Sequence, residues 1–426
     1  MTKKIFLTAA IIIISFFISY AQPPLTIDSC YARARLQYPL IKQKGLIDKT
    51  REYNIANASK GYYPQFSING QATYQDPVTS IPFSLNIPKL GIDISIPQYS
   101  KDQYKIDAQL DQIIYDGGAI KYSKESFVQS SKIDQQNLEV QLYALKDRIN
   151  QIFFGVLLMD KQIKQNELTQ KDIQSSIDKL NEQVKNGTAT TSAVAELQAS
   201  ILQQDENKIQ LKASRKAYLD MLGVFINQQL DESTMLAVPG GVVISSDIKR
   251  PELNLYDQQK RIFDIQQEML NVSNRPRFSF FLQGGYGRPG LNAFDNNFAP
   301  WYIGGLRLNW QFGGFYTLKN QKQILDINRQ TTDLQKETFL FNTNIMLKQQ
   351  NTDIEKLKAM IDKDNEIIAK RTEVKNAAKS SMENGVVTIH EYINQLDAED
   401  LAKQALLLHQ VQLLLAEYSY QNTSGN

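Results

Sequence analysis

Residues 138–163 read LEVQLYALKDRINQIFFGVLLMDKQI, and the fold turns on how that stretch is read. Its apolar residues advance in alternating steps of four and three: Leu138, Leu142, Leu145, Ile149, Ile152, Val156, Met159 and Ile163. The same steps resume at Ile173, Ile177, Leu180 and Val184, with Asn166 and Gln170 in the two positions between. A spacing of 3.5 residues sustained this far sets one apolar seam along one helix face and predicts left-handed coiled-coil packing. Residues 119–186 contain no proline, and a helix of that length extends about 100 Å at 1.5 Å per residue. Gln, Lys, Asp and Asn fill its other faces, so most of its surface is solvated.

Asn186-Gly187 stops this helix, because a C-terminal turn needs the positive φ that glycine adopts. Thr190, Thr191 and Ser192 can each cap a second helix, which carries Val194, Leu197, Ile201, Leu211, Tyr218 and Leu222. The result is an αα-hairpin with its tip near Gly187. A second hairpin follows later in the chain. A helix from about residue 317 carries Ile324, Ile327, Leu334, Phe341, Ile345, Ile354, Leu357, Ile361, Ile368 and Met382. It breaks at Asn384-Gly385 and returns through Ile389, Ile393, Leu396 and the Leu-rich stretch 406–415.

The landmarks around these hairpins recur in order. Tyr38-Pro39, Tyr63-Pro64, Asp116-Gly117-Gly118 and Asn186-Gly187 are answered by Arg250-Pro251, Arg275-Pro276, Phe312-Gly313-Gly314 and Asn384-Gly385. Slack is confined to one interval, between the second proline and the Gly-Gly pair. Ordered recurrence on this scale predicts an internal two-fold repeat. The expected divisions are residues 22–223 for the first repeat, 224–248 for a connecting segment and 249–426 for the second repeat.

Each slack interval holds two stretches with period-two alternation. Their apolar positions are Phe66, Ile68, Gly70, Ala72 and Tyr74; Tyr104, Ile106, Ala108, Leu110 and Ile114; Phe278, Phe280, Leu282 and Tyr286; and Tyr302, Leu306, Leu308, Trp310 and Phe312. About ten residues with one apolar and one polar face is the pattern of an outer-membrane barrel strand. Tyr62, Tyr63, Tyr115, Trp301, Tyr302, Phe315 and Tyr316 stand near the strand ends, where aromatic girdles are expected. A soluble antiparallel sheet alternates in the same way. Four strands cannot close a barrel, so the membrane reading requires several chains to share one. The proline-rich segment with Pro77, Pro82, Pro88 and Pro97 is expected to be a long outer loop.

At the N-terminus, Lys3 and Lys4 precede an apolar run, and Ser19-Tyr20-Ala21 follows it, which reads as a secretory signal peptide over residues 1–21. The chain beyond carries equal numbers of basic and acidic residues, 45 each, which gives nucleic acid no electrostatic attraction. Cys30 is the single cysteine, so no internal disulfide forms. No later apolar run is long enough for a transmembrane helix. Gly285-Tyr286-Gly287-Arg288-Pro289-Gly290 fits G-x-G-x-x-G but opens no helix, so a nucleotide site is not expected. His390 and His409 are the only histidines, and no sequence cluster around them suggests a metal, a cofactor or an enzyme.

Capped helix, strand, loop, strand ending in Gly-Gly, very long helix, Asn-Gly tip and return helix, all twice, resembles the TolC-like outer-membrane efflux protein family over roughly Leu25–Gln421. The resemblance implies an α+β membrane protein. Three protomers would each give four strands to a 12-stranded outer-membrane β-barrel, continuous with a periplasmic α-helical coiled-coil barrel. It implies a passive exit duct partnered by a periplasmic adaptor and an inner-membrane efflux pump or ABC transporter. The tips Asn186, Gly187, Thr188, Asn384 and Gly385 would face the adaptor. The family's gate has carboxylates at the sixth and ninth positions past the second tip glycine. Here those positions hold Glu391 and Asn394, so one carboxylate of the pair is kept, and in a trimer it would form a ring of three that attracts cations. The competing reading is a soluble periplasmic coiled-coil adaptor, which gives no reason for four alternating strands.

Overall fold

The computed structural model describes residues 24–79, 84–87, 91–95, 99–292 and 295–426. The expected signal peptide lies outside the described residues, as do Pro82, Pro88 and Pro97. In chain order the elements are α1 (Ile27–Gln37), α2 (Gln43–Ser59), β1 (Gln65–Tyr74), β2 (Ser84–Ile87), β3 (Ile92–Ser95), β4 (Asp102–Tyr115), α3 (Ala119–Tyr143), α4 (Leu145–Lys185), α5 (Thr191–Ile226), α6 (Pro251–Ser273), β5 (Arg277–Arg288), β6 (Ala299–Asn309), α7 (Gly314–Glu383) and α8 (Ile389–Ser424). The chain divides into two compact units. One comprises the residues up to Lys42, Leu138–Leu253 and Glu337–Asn426; the other comprises Gln43–Asn137 and Asn254–Lys336.

The first unit is helical. Thr26 caps α1 by accepting from the Ser29 N–H at 3.3 Å. That helix ends at Tyr38 because Pro39 disfavours helical backbone in the residue before it, and Tyr38 is extended. Along α4 the expected seam is buried at Leu145, Ile149, Val156, Ile173, Ile177 and Leu180, where the helix packs on α5 and α8. The two polar seam positions find polar partners. Asn166 Nδ2 donates to Gln204 O at 3.1 Å and Gln204 Oε1 at 2.6 Å. Gln170 donates to Asp205 at 2.7 Å. Such pairs fix the register of a seam that apolar contacts alone leave free to slide.

The helix expected over residues 119–186 is two helices, α3 and α4, parted at Ala144. Ala144 keeps right-handed backbone, φ −62° and ψ −15°, and its N–H still reaches Val140 O at 3.3 Å. The interruption is therefore a lengthened hydrogen bond, not a turn. In α7, which runs 70 residues, the seam divides. Leu347, Ile354, Leu357 and Met382 are buried, whereas Ile324, Ile327, Leu334, Phe341 and Ile345 are exposed in this chain. The connecting segment after α5 is tied by a parallel bridge from Leu25 to Leu236 and by the Lys249 N–H donating to Ser424 O at 2.7 Å.

The second unit centres on a four-stranded antiparallel sheet in the order β1-β4-β5-β6. Its register aligns like with like: Phe66 opposite Leu110, Leu110 opposite Leu282, and Leu282 opposite Gly304. The even-numbered positions Phe66, Ile68 and Gly70 of β1, and the residues aligned with them, form one apolar face; past them Tyr104 aligns with Arg288 and Tyr74 with Asp102, and these two charged residues pair at 3.3 Å. That face is open: Phe66 is 67% exposed and Leu306 76%. The other face is polar and internally bonded. Gln283 and Asn69 donate to Asp107 Oδ2 at 2.7 and 3.4 Å, Lys105 pairs with Asp107 at 3.5 Å, and Arg307 pairs with Asp111 at 3.3 Å.

Two differences from expectation appear here. The fourth strand stops at Asn309, short of Phe312. Trp310 Nε1 donates to Asn274 O at 3.0 Å and Phe312 stacks near Phe315, which draws the chain out of the ladder. Within the expected outer loop, β2 and β3 pair as a short antiparallel hairpin.

Candidate functional site

Both helix tips are built by the same set of backbone bonds. At the first, Gly187 has φ +71°. Its N–H donates to Val184 O at 3.0 Å, and that of Thr188 donates to Gln183 O at 2.8 Å. At the second, Gly385 has φ +73°. Its N–H donates to Met382 O at 3.0 Å, and that of Val386 donates to Ser381 O at 2.8 Å. Each is a Schellman pair, which satisfies the carbonyls a helix leaves open at its end. Three residues past each glycine a threonine caps the return helix. Thr190 accepts from the Ala193 N–H at 3.4 Å, and Thr388 accepts from the Glu391 N–H at 3.2 Å. Asn186, Gly187, Thr188, Asn384 and Gly385 all remain exposed.

The two tips are bound to one another. Lys179 pairs with Glu383 at 2.8 Å, and Gln183 Nε2 donates to Glu383 O at 2.8 Å. Beneath them one apolar cluster joins Ile173, Ile177 and Leu180 of α4, Val194 and Leu197 of α5, Met382 of α7, and Tyr392, Ile393 and Leu396 of α8. Tyr392 is 0% exposed, and its hydroxyl sits 3.1 Å from Ser176 Oγ. Burial pushes this phenol above its ordinary pKa, against the Ser176 bond.

Glu391 and Asn394 stand one turn apart on the exposed side of α8. Glu391 Oε1 accepts from Gln395 Nε2 at 2.8 Å. The Asn394 side chain has no hydrogen-bond partner among the described residues. The side chains at these two positions are thus available to whatever lies beyond this chain.

A buried charge network behind them was not read from the sequence. Glu399 accepts from Thr372 at 2.6 Å and pairs with Lys375 and Lys403, each at 3.0 Å, while Lys375 also meets Asp172 at 3.4 Å. Burial works against the Glu399 carboxylate, but the bonds from Thr372, Lys375 and Lys403 outweigh it and hold its pKa below the ordinary value. Burial likewise opposes the Lys375 ammonium, and Glu399 outweighs it, so that pKa is raised. The only signal in the sequence was polar residues on helix faces that otherwise bury apolar ones.

The histidines, with no carboxylate cluster in sequence, each meet a single carboxylate in the fold. His390 Nδ1 lies 3.2 Å from Glu196, and His409 Nδ1 lies 2.6 Å from Asp364. No group of three or more potential metal ligands occurs among the described residues.

In the sheet unit, Tyr62, Tyr63, Tyr115, Tyr302, Phe315 and Tyr316 are exposed beside strand ends. Trp301 is different. It is buried on the polar face, opposite Gly285 in register, with Lys105 Nζ 4.5 Å from its ring centroid. A Cβ on Gly285 would lie 2.8 Å from the indole. The Gly285-x-Gly287 pattern is therefore room for Trp301 and for the neighbouring strand, and Trp301 does not join the exposed aromatics.

Residues 31–222 match the family described as outer membrane efflux protein. No curated protein matches the chain in sequence. Among solved structures, that of CusC, described with respect to folding and transmembrane channel formation, is 13% identical with a TM-score of 0.62, covering 93% of this chain and 91% of its own. The outer membrane protein VceC of Vibrio cholerae is 13% identical with a TM-score of 0.60, covering 94% and 96%. The outer membrane channel MtrE of Neisseria gonorrhoeae, in its open state, is 12% identical with a TM-score of 0.60, covering 94% and 89%. The mostly helical chain with its small antiparallel sheet has the fold of these channels. This is the family that the sequence landmarks resemble, matched in sequence over the first half and in fold along nearly the whole chain.

Proposed function

We propose that this chain is the passive outer-membrane exit duct of a tripartite efflux or type I secretion system. The observation that carries the reading is the sheet. Its apolar face is exposed, and both edge strands, β1 and β6, lack a further partner among the described residues. Open edges of this length template pairing with other chains, and an apolar face in place of a second layer suits lipid. Three copies, edge to edge, give a closed 12-stranded barrel in the outer membrane. The exposed part of the α7 seam, from Ile324 to Ile345, gives the same copies a second apolar surface to share. The internal two-fold repeat then supplies two hairpins per chain to a periplasmic helical tunnel.

On this reading the tips at Gly187 and Gly385 meet a periplasmic adaptor, and an inner-membrane efflux pump or ABC transporter supplies the energy. Glu391 and Asn394 form the constriction, with three Glu391 carboxylates in one ring. Tyr62, Tyr63, Tyr115, Tyr302, Phe315 and Tyr316 anchor the barrel at the lipid interfaces.

Single-channel conductance in a planar bilayer tests this. Wild type is expected to give a small, cation-selective conductance that rises in Glu391→Ala. A conductance unchanged by the substitution removes the Glu391 ring and keeps the duct. Protein that stays soluble without detergent and never inserts removes the barrel.

A further inference from the structure

A cavity of about 470 Å3 opens where the polar face of the sheet meets the start of α3. Its wall carries three guanidinium groups, Arg275, Arg277 and Arg307, and one carboxylate, Asp116. Asp116 is already engaged. It accepts from the N–H groups of Gly118 at 2.8 Å and Ile120 at 2.5 Å, and from the Tyr62 hydroxyl at 3.1 Å. Arg275 donates to Gly117 O at 3.2 Å, and Arg307 holds Asp111. The side chains of Arg277, and of Asn309 and Gln311 on the same wall, have no hydrogen bond or ion pair with any described residue.

Register makes this set convergent. Arg277 stands opposite Asn309, and Ser279 stands opposite Arg307. The two arginines are therefore diagonal neighbours on adjacent strands, a relation that spans about 7–8 Å. Guanidinium forks that near can share one oxyanion, each donating in pairs. Left alone, they repel. Ile113, Ile120 and Phe278 make part of the remaining wall apolar, beside Ser273 and Ser279. Cationic donors beside apolar surface select an organic anion with an apolar body.

We infer that this cavity binds the sulfonate, phosphate or carboxylate head of an amphiphilic organic anion through Arg277 and Arg307. Its meaning rests on the duct reading, under which the polar face lines the passage and the anion is cargo. An anionic phospholipid headgroup offers the same chemistry.

The test titrates naphthalene-1-sulfonate into the full chain in an uncharged detergent, with 1-naphthylmethanol as the neutral counterpart. The sulfonate is expected to bind, Arg277→Gln to weaken it at least tenfold, and Arg277→Lys to weaken it less. Naphthylmethanol is expected to bind both proteins alike. Arg277 has no partner to lose, and circular dichroism checks that the variants are folded. Equal sulfonate affinity in wild type and Arg277→Gln, or no sulfonate binding, overturns the inference. Repeating the titration in nanodiscs identifies the source: weaker sulfonate binding in phosphatidylglycerol than in phosphatidylcholine assigns the site to a lipid headgroup, and equal binding assigns it to cargo. Bilayer conductance keeps the two readings apart. Protein that binds but does not conduct loses the duct alone, and protein that conducts but does not bind loses the site alone.

Discussion

Seven residues past Gly187 stands Val194, and seven past Gly385 stands Tyr392. One position earlier the pair is Ala193 and Glu391. The two tips thus share a backbone device, a Schellman pair followed by a threonine cap, and differ in the side chains it presents. Backbone bonds need only a glycine and a threonine at fixed places, so they can recur while the neighbours diverge. The divergence gives the hairpins unequal roles. Tyr392 and Val194 both belong to the shared cluster, but Tyr392 is fully buried and reaches Ser176 of the other hairpin, whereas Val194 is smaller and 8% exposed.

The largest expected effect follows from that inequality. Tyr392→Ala removes a fully buried aromatic and its hydroxyl contact, which costs about 3–5 kcal/mol. Val194→Ala removes two methyl groups, about 1.6 kcal/mol at roughly 0.8 per buried carbon. Amide hydrogen exchange over residues 173–201 and 382–396 measures both. Equal losses of protection would break the comparison.

The charge network sharpens it next. Glu399→Gln leaves Lys375 with Asp172 alone, so the loss is expected near the lower end of the roughly 3–5 kcal/mol seen when one partner of a buried pair is removed. The depressed Glu399 pKa fixes the sign with pH. Its contribution is complete above the ordinary glutamate value of about 4.3 and is lost as pH falls through the lowered folded value. The raised Lys375 pKa acts at the other end. That contribution is complete below about 10.4 and is lost as pH rises through the raised value. The thermal midpoint of the helical signal is therefore expected to fall on acidification below about pH 4, more steeply in wild type than in Glu399→Gln.

What was legible in the sequence was local. The heptad from Leu138 to Leu180, the glycine stops and the alternating strands each carry their signal within a few residues. Thr190 as one of three possible caps was visible, and the structure selects it. Contacts between distant segments were not legible. Nothing near Asn166 points to Gln204, and nothing near Lys375 points to Glu399 and Asp172 on two other helices. Trp301 is an instructive case because its signal was present. It is odd-numbered in a strand whose apolar positions are even, and parity assigns it to the polar face that nearness to the strand end obscured. The end of β6 depended on the Trp310 bond to Asn274, a contact 36 residues away.

A smaller effect tests whether the tips are equivalent as backbone. Gly187→Val and Gly385→Val each force a branched side chain into left-handed backbone, at about 1–2 kcal/mol. Nothing lies within 4 Å of a Cβ added at either glycine, so the cost is conformational and free of clash. Equal shifts in exchange protection at the two tips are expected. A larger loss at either would show that the tips differ in packing around the turn.

The smallest effect separates capping from the role assigned to Glu391. Thr190→Ala and Thr388→Ala each remove one cap, at about 1 kcal/mol. The second cap differs in sequence, since Thr388-Ile389-His390-Glu391 is a capping box, in which the glutamate folds back on the cap backbone. In the structure the Glu391 carboxylate turns instead to Gln395. A glutamate held outward adds nothing to the cap, so the two threonine substitutions should cost the same and Glu391→Ala should leave exchange protection of the second tip unchanged. A greater loss in Thr388→Ala, joined by a loss in Glu391→Ala, would place that carboxylate in the capping box and remove it from the constriction.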